Sequence, residues 1–140
     1  MYRFKPCTKC GAPALYNKDD EMTEVDRTPV KRVWGEYSTI AEYDGIKIKE
    51  LRVSPGGTLS FQRHEKREEH WKVVKGKGIV ITSDCPGDGD NRVHFLNTGE
   101  ELYIDQNVWH QLTNPYNEFL VIVETQKGEE CTEEDIERLT

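Results

Sequence analysis

The run Gln62-Arg63-His64-Glu65-Lys66-Arg67-Glu68-Glu69-His70-Trp71 crowds amide, imidazole and carboxylate groups into one short stretch. Alternate side chains of an extended strand share a face, so Gln62 and His64 project together, and after a polar bend Glu69, Trp71 and Val73 repeat the period of two. Three potential ligand groups can therefore converge, and His110, which follows a later turn-rich strand pair, is a fourth. Two imidazoles, a carboxylate and an amide oxygen suit a borderline divalent ion, with positions left for substrate oxygens. The bland alternatives are a hydrogen-bonded core histidine at His110 and a partly exposed strand position at Glu69. His70 and His94 fall on the opposite strand face or in an unmatched strand and are left out.

These groups need strands to aim them, and the chain is punctuated accordingly. Pro29 to Tyr37 reads as a first strand, Tyr43-Asp44-Gly45 as a hairpin turn, and Ile46 to Val53 as a strictly alternating strand that puts Lys47, Lys49, Leu51 and Val53 on one face. After Pro55-Gly56-Gly57 come the ligand-bearing strands. Ile79–Thr82, Val93–Leu96, Leu102–Ile104, Val108–Leu112 and Phe119–Thr125 follow, separated by Gly, Asp, Asn and Pro turns. Thr132-Glu133-Glu134-Asp135 resembles a capping box, and with Ile136 and Leu139 it predicts a short C-terminal helix. Residues 1–28 are polar with few periodic apolar positions and read as an arm; residues 29–140 form the domain. Many short strands without a long internal repeat argue an all-β barrel or sandwich.

A length of 140 residues fits one domain, and 35% hydrophobic with 32% charged residues fits a globular chain with a modest interior. The net charge of −7 argues against nucleic acid as a partner, and no apolar run is long enough to span a membrane. No secretory signal is visible, so the cytoplasm is the expected location. Of the four cysteines, only Cys7-Thr8-Lys9-Cys10 has ligand spacing. It lacks a second pair and reads as an ordinary thiol pair, with half of a zinc site completed by Cys85, Cys131 or a partner chain as the lesser reading.

Two spacings match the cupin signature: Gly56-x5-Gln62-x-His64-x4-Glu69-x6-Gly76, then Gly99-x5-Asp105-x-Asn107-x2-His110-x3-Asn114. Within the cupins the chain resembles the type II mannose-6-phosphate isomerase module, which is also the C-terminal part of bifunctional mannose-1-phosphate guanylyltransferases. The resemblance rests on Arg32-Val33-Trp34-Gly35-x-Tyr37, Leu59 to His64, Arg67 to Trp71, Val108 to Pro115 and Val123 to Gly128, and extends to Glu134 to Arg138. It covers residue 30 or so to the C-terminus. The family usually has proline and glycine where Asp105 and Asn107 stand, although Asn tolerates the positive φ such a turn needs.

The resemblance implies a cupin double-stranded β-helix and a metal-dependent isomerase interconverting mannose 6-phosphate and fructose 6-phosphate. By motif position Gln62, His64, Glu69 and His110 would be the ligands of one divalent transition metal, zinc first, then manganese, iron or cobalt. Lys49, an inward lysine that needs a partner, and Arg67, beside the bend, are the candidates for pairing a phosphate or a developing oxyanion. For Arg67 a solvated face is an equal alternative. The general base would be Glu124 or a metal-bound hydroxide. A small phosphorylated sugar is the expected partner and a homodimer the expected assembly. The competing reading is a metallocupin with another small-molecule substrate, or a sugar-binding module without turnover.

Overall fold

A computed structural model describes residues 2–6, 13–17, 24–87 and 89–140. Three antiparallel sheets make up the architecture. The first sheet of the main body is ordered β10 (Glu101–Ile104), β7 (Arg67–Lys75), β12 (Leu120–Gly128), β5 (Ile46–Val53), β4 (Gly35–Tyr43) and β3 (Val30–Arg32). The second is ordered β13 (Glu137–Arg138), β6 (Gln62–Arg63), β11 (Trp109–Thr113), β8 (Gly78–Ser83) and β9 (Arg92–Leu96). A separate hairpin pairs β1 (Tyr2–Pro6) with β2 (Pro13–Asn17), inside the stretch expected to be an arm. Cys7 and Cys10 lie outside the described residues. No described helix is long and apolar enough to cross a membrane.

Alternation decides what each strand buries. On β5 the inward set is Lys49, Leu51 and Val53, on the predicted face; on β7 it is Arg67, Glu69, Trp71 and Val73. Register then stacks these sets into rows. Leu120 lies opposite Val53, and Ile122 stands between Leu51 and Val73. With Leu59, Val80, Leu96, Ile104 and Leu112 they form the hydrophobic core. One step along the same strands, the rows turn polar: Glu124 stands between Lys49 and Trp71, and Gln126 lies opposite Glu69. The interior thus has an apolar half and a polar half, set by a change of side-chain chemistry along strands of constant parity.

Three details depart from the sequence reading or refine it. The first strand is two, because the chain reverses at Val33-Trp34 to pair β3 with β4, leaving Val33 fully in solvent. The C-terminal helix does not form. Residues 129–136 run as turns and bends, and Glu137–Arg138 pairs with β6 as β13. Two apolar residues make too narrow a stripe to hold a single helical turn, whose nucleation is costly, whereas Asp135 finds tertiary partners: its carboxylate accepts the N–H of Glu65 (3.1 Å) and of Lys66 (3.0 Å). At the turn before β11, Asn107 takes φ 65°, the conformation expected of the residue standing in for glycine, and its N–H donates to His64 O at 2.8 Å.

Leu120 has no exposed surface. Leu120→Ala should therefore cost about 2–5 kcal/mol in urea unfolding, while Val33→Ala should change stability by no more than about 0.5 kcal/mol. Equal effects at the two positions would contradict the assignment of the core.

Candidate metal centre and its cavity

The two sheets bring the ligand candidates together from different strands. Glu69 projects inward from the middle of β7. His110 projects from β11 directly opposite Gln62 of β6, and His64 lies just beyond the end of β6. One donor atom from each of His64, Glu69 and His110 falls within 4.8 Å of the others, and all three residues are buried. His64 Nε2 is 3.4 Å from Glu69 Oε2, and His110 Nε2 is 3.5 Å from Glu69 Oε1.

Backbone carbonyls fix the orientation of both rings. His64 Nδ1–H donates to Asp135 O at 2.7 Å and His110 Nδ1–H to Val108 O at 2.9 Å, so each ring turns an Nε2 lone pair toward the carboxylate. Burial keeps both rings neutral. It is the largest cause of the fall of His64 to about 4, with the Arg67 charge second, and it also lowers His110. His110 Nε2 has no hydrogen-bond partner among the described residues. His110 Nε2 and Glu69 Oε1 thus face each other with no proton between them and repel, and a cation would relieve that repulsion. The residues present therefore fit a divalent metal.

Arg67 is buried, which settles its face. Its Nε–H donates to Glu69 Oε2 (3.1 Å), its Nη2–H to His64 Nε2 (3.3 Å) and its Nη1–H to Thr132 O (2.8 Å). It neutralises Glu69, and an ion bound in the cluster competes with it for two of the ligand atoms. Trp71 Nε1–H completes the set of donors on Glu69, at 3.1 Å.

A cavity of about 330 Å³ opens beside this cluster and is lined by Gln62, His64, Arg67, Glu69, Lys49 and Glu124 among others. Six of the seven residues singled out from the sequence thus line one space, with His110 behind them. Gln62 Oε1 accepts a hydrogen bond from Ser60 Oγ at 3.1 Å. Lys49 lies over the Tyr37 ring, 4.5 Å from its centroid, and pairs with Glu133. Glu124 is buried and accepts from Gln126 Nε2. Burial, then the charge of Glu69, push its pKa up to about 7, against the opposing pull of Lys49, Gln126 and Arg67. His70 and His94 stay outside: His70 faces Glu101 (3.4 Å), and His94 shares a hydrogen bond with Thr82.

Sequence reasoning missed Glu133, Asp135 and Gln126. The helix reading gave the first two to the N-terminus of a short helix; the signal against it was the pair of bend N–H groups at Glu65 and Lys66, which needed an acceptor. Gln126 was legible by parity, since it continues Leu120, Ile122 and Glu124 along one face of β12.

Comparison with known proteins bears on the family and the fold. The family described as mannose-6-phosphate isomerase C-terminal matches residues 18–140. A mannose-1-phosphate guanylyltransferase of Sinorhizobium fredii is 36% identical over 118 residues, which is 84% of this chain and 22% of that protein. The alginate biosynthesis protein AlgA of Pseudomonas aeruginosa is 37% identical over 110 residues, 79% of this chain and 21% of that protein. The chain thus spans about a fifth of the length of these relatives. Among solved structures, the capsular polysaccharide assembling protein CapF of Staphylococcus aureus superposes with a TM-score of 0.71 at 17% identity, over 80% of this chain and 34% of that one. Oxalate decarboxylase of Lactobacillus farciminis superposes with a TM-score of 0.68 at 20% identity, over 80% of this chain and 33% of that one. These two likenesses show the fold, a cupin-type jelly roll.

Purified protein should bind about one divalent transition metal per chain by elemental analysis, and His64→Ala or His110→Ala should abolish binding while Cys7→Ser/Cys10→Ser does not. The reverse pattern would move the site to the cysteines. Protons should compete weakly, because His64 is held near 4 instead of 6.5: metal should stay bound as pH falls through 6.5 and leave only toward 4. Release centred on 6.5 would contradict neutral, buried ligands. The sign for the metal-free protein is the same. The contribution of His64 to stability is complete above 6.5 and is lost as pH falls toward 4.

Proposed function

Because this chain belongs to the mannose-6-phosphate isomerase C-terminal family, we propose that it is a metal-dependent aldose–ketose isomerase converting mannose 6-phosphate to fructose 6-phosphate. The observation that carries this reading is Glu124: a buried carboxylate, poised near neutrality, in the same cavity as a His-Glu-His cluster and a buried lysine. A general base works best when its pKa lies near the working pH, and burial beside a second carboxylate is how the chain brings a glutamate there.

Isomerisation of the open-chain aldose moves the C2 proton to C1 and the O2 proton to O1. Glu124 takes the proton from C2 and returns it to C1. Held by His64, Glu69, His110 and Gln62, a divalent cation such as zinc would supply electron withdrawal from the sugar oxygens, making the C2 proton more acidic. Lys49 holds positive charge on the same side of the cavity, where charge develops on oxygen, once the sugar takes the place of Glu133. Arg67 keeps Glu69 ionised. Trp34 and Tyr37 form an apolar wall of the cavity that limits water.

A second reading has one observation in its favour. Lys49 and Arg67 are both already paired with carboxylates, as expected of a sugar-phosphate-binding module that does not turn over. For assembly, the expected homodimer finds support in the edge strand β9, which exposes Val93 and Phe95.

Metal-loaded protein should form fructose 6-phosphate from mannose 6-phosphate. Glu124→Gln should lower kcat by at least about 10²-fold with metal content unchanged, whereas a variant within a few-fold of wild type would remove Glu124 from the chemistry. Since the base must be ionised, kcat/KM should be full above the Glu124 pKa and fall as pH drops below about 7, with that acid limb absent from the residual activity of Glu124→Gln. A metal-loaded wild type that binds the sugar phosphate and yields no product would favour the binding module.

A further inference from the structure

Four cationic side chains line the cavity: Arg32, Lys49, Arg67 and Arg138. Two are committed. Lys49 pairs with Glu133, and Arg67 with Glu69 and the Thr132 carbonyl. Among the described residues, Arg32 and Arg138 pair with no carboxylate. They come from the outermost strands of opposite sheets, β3 and β13. Arg138 lies opposite Gln62, which lies opposite His110, so register puts Arg138 on the ligand-bearing face. Arg32 lies opposite Gly35, which lies opposite the buried Val53, so it belongs to an inward row at the edge of the other sheet. Its guanidinium carbon stands 5.4 Å from the centre of the Tyr37 ring, and one Nη1–H donates to Lys31 O at 3.0 Å. Among the described residues the rest of its fork is unengaged.

We propose that Arg32 and Arg138 form the subsite for the phosphate of the substrate, an assignment that rests on the sugar-phosphate reading above. The phosphate of a hexose 6-phosphate is at the far end of the carbon chain from the reacting carbons. With C1 and C2 beside the buried His64, Glu69 and Glu124, the phosphate is carried outward to the mouth, where both arginines are exposed. Guanidinium forks match phosphate oxygens in pairs. The alternative, a phosphate on Lys49, would set a dianion among Glu69, Glu124 and Glu133 in an enclosed space, where like charges repel strongly. A chain of net charge −7 also needs cations at the entrance to admit an anionic sugar.

The test uses the metal-loaded 140-residue chain and two probes: mannose 6-phosphate for turnover, and its alditol, which keeps the phosphate but has no carbonyl, for binding by calorimetry. Arg32→Gln/Arg138→Gln should raise KM and the alditol phosphate Kd by at least about tenfold, as loss of charge-assisted hydrogen bonds requires. It should change kcat and metal content little. Arg32→Lys/Arg138→Lys should recover part of the affinity, and circular dichroism should match wild type. Unchanged Kd in the Gln double variant, with binding lost in Lys49→Met, would overturn the proposal. So would a wild type that binds the alditol phosphate no better than the alditol. Arginine-dependent binding without turnover would uphold the subsite and sink only the isomerase reading.

Discussion

Glu69 is a carboxylate with almost no access to water, and such a charge persists inside a protein only where fixed donors replace its hydration. Arg67 and Trp71 supply those donors from its own strand, at i−2 and i+2 on the same face. Two histidine rings, turned by backbone carbonyls, face it from the other sheet. Most other features of the polar half follow from this group. Arg67 must be buried to neutralise it, the Thr132 carbonyl must anchor Arg67, and the nearby negative charge helps drive Glu124 to its raised pKa. The apolar half supplies the rigidity. Leu51, Ile122 and Val73 form a row next to Lys49, Glu124 and Trp71, so the positions of the polar groups inherit the precision of a packed core.

The C-terminal segment is part of the site. Asp135 ties down the bend between His64 and Glu69 with its side chain and orients His64 with its carbonyl; Glu133 covers Lys49; β13 closes the edge of β6. These contacts join residues 69 to 84 positions apart, and they convert a polar tail into one wall of the cavity. On the proposed sugar-phosphate reading they are also the part of the site that must rearrange, since Glu133 and a substrate oxygen would compete for the same lysine.

Period-two alternation made much of this legible. The inward faces of β5 and β7 could be read directly, because a one-residue slip would have buried Glu50 and Arg52 in place of Lys49 and Leu51. His64, Glu69 and His110 were found by ligand chemistry and spacing, and Asn107 by its tolerance of positive φ. What failed was local reasoning about segments whose structure is set from afar. The Thr132–Asp135 stretch carries a helix-start pattern, yet the acceptors it offers are used by Glu65 and Lys66. The break at Val33-Trp34 was hidden because both flanks have strand-like residues. Arg32 and Arg138 stand in blocks that resemble the family, but nothing in the sequence joins them, since their shared position depends on the closing of two sheets.

The central claim is that the polar half of this barrel holds a cation on imidazole and carboxylate. X-ray absorption spectroscopy of the metal-loaded protein tests it most directly. The expected result is a first shell of nitrogen and oxygen only, with the outer scattering pattern of two imidazole rings. A shell containing sulfur at about 2.3 Å would place the metal on cysteine and contradict the account.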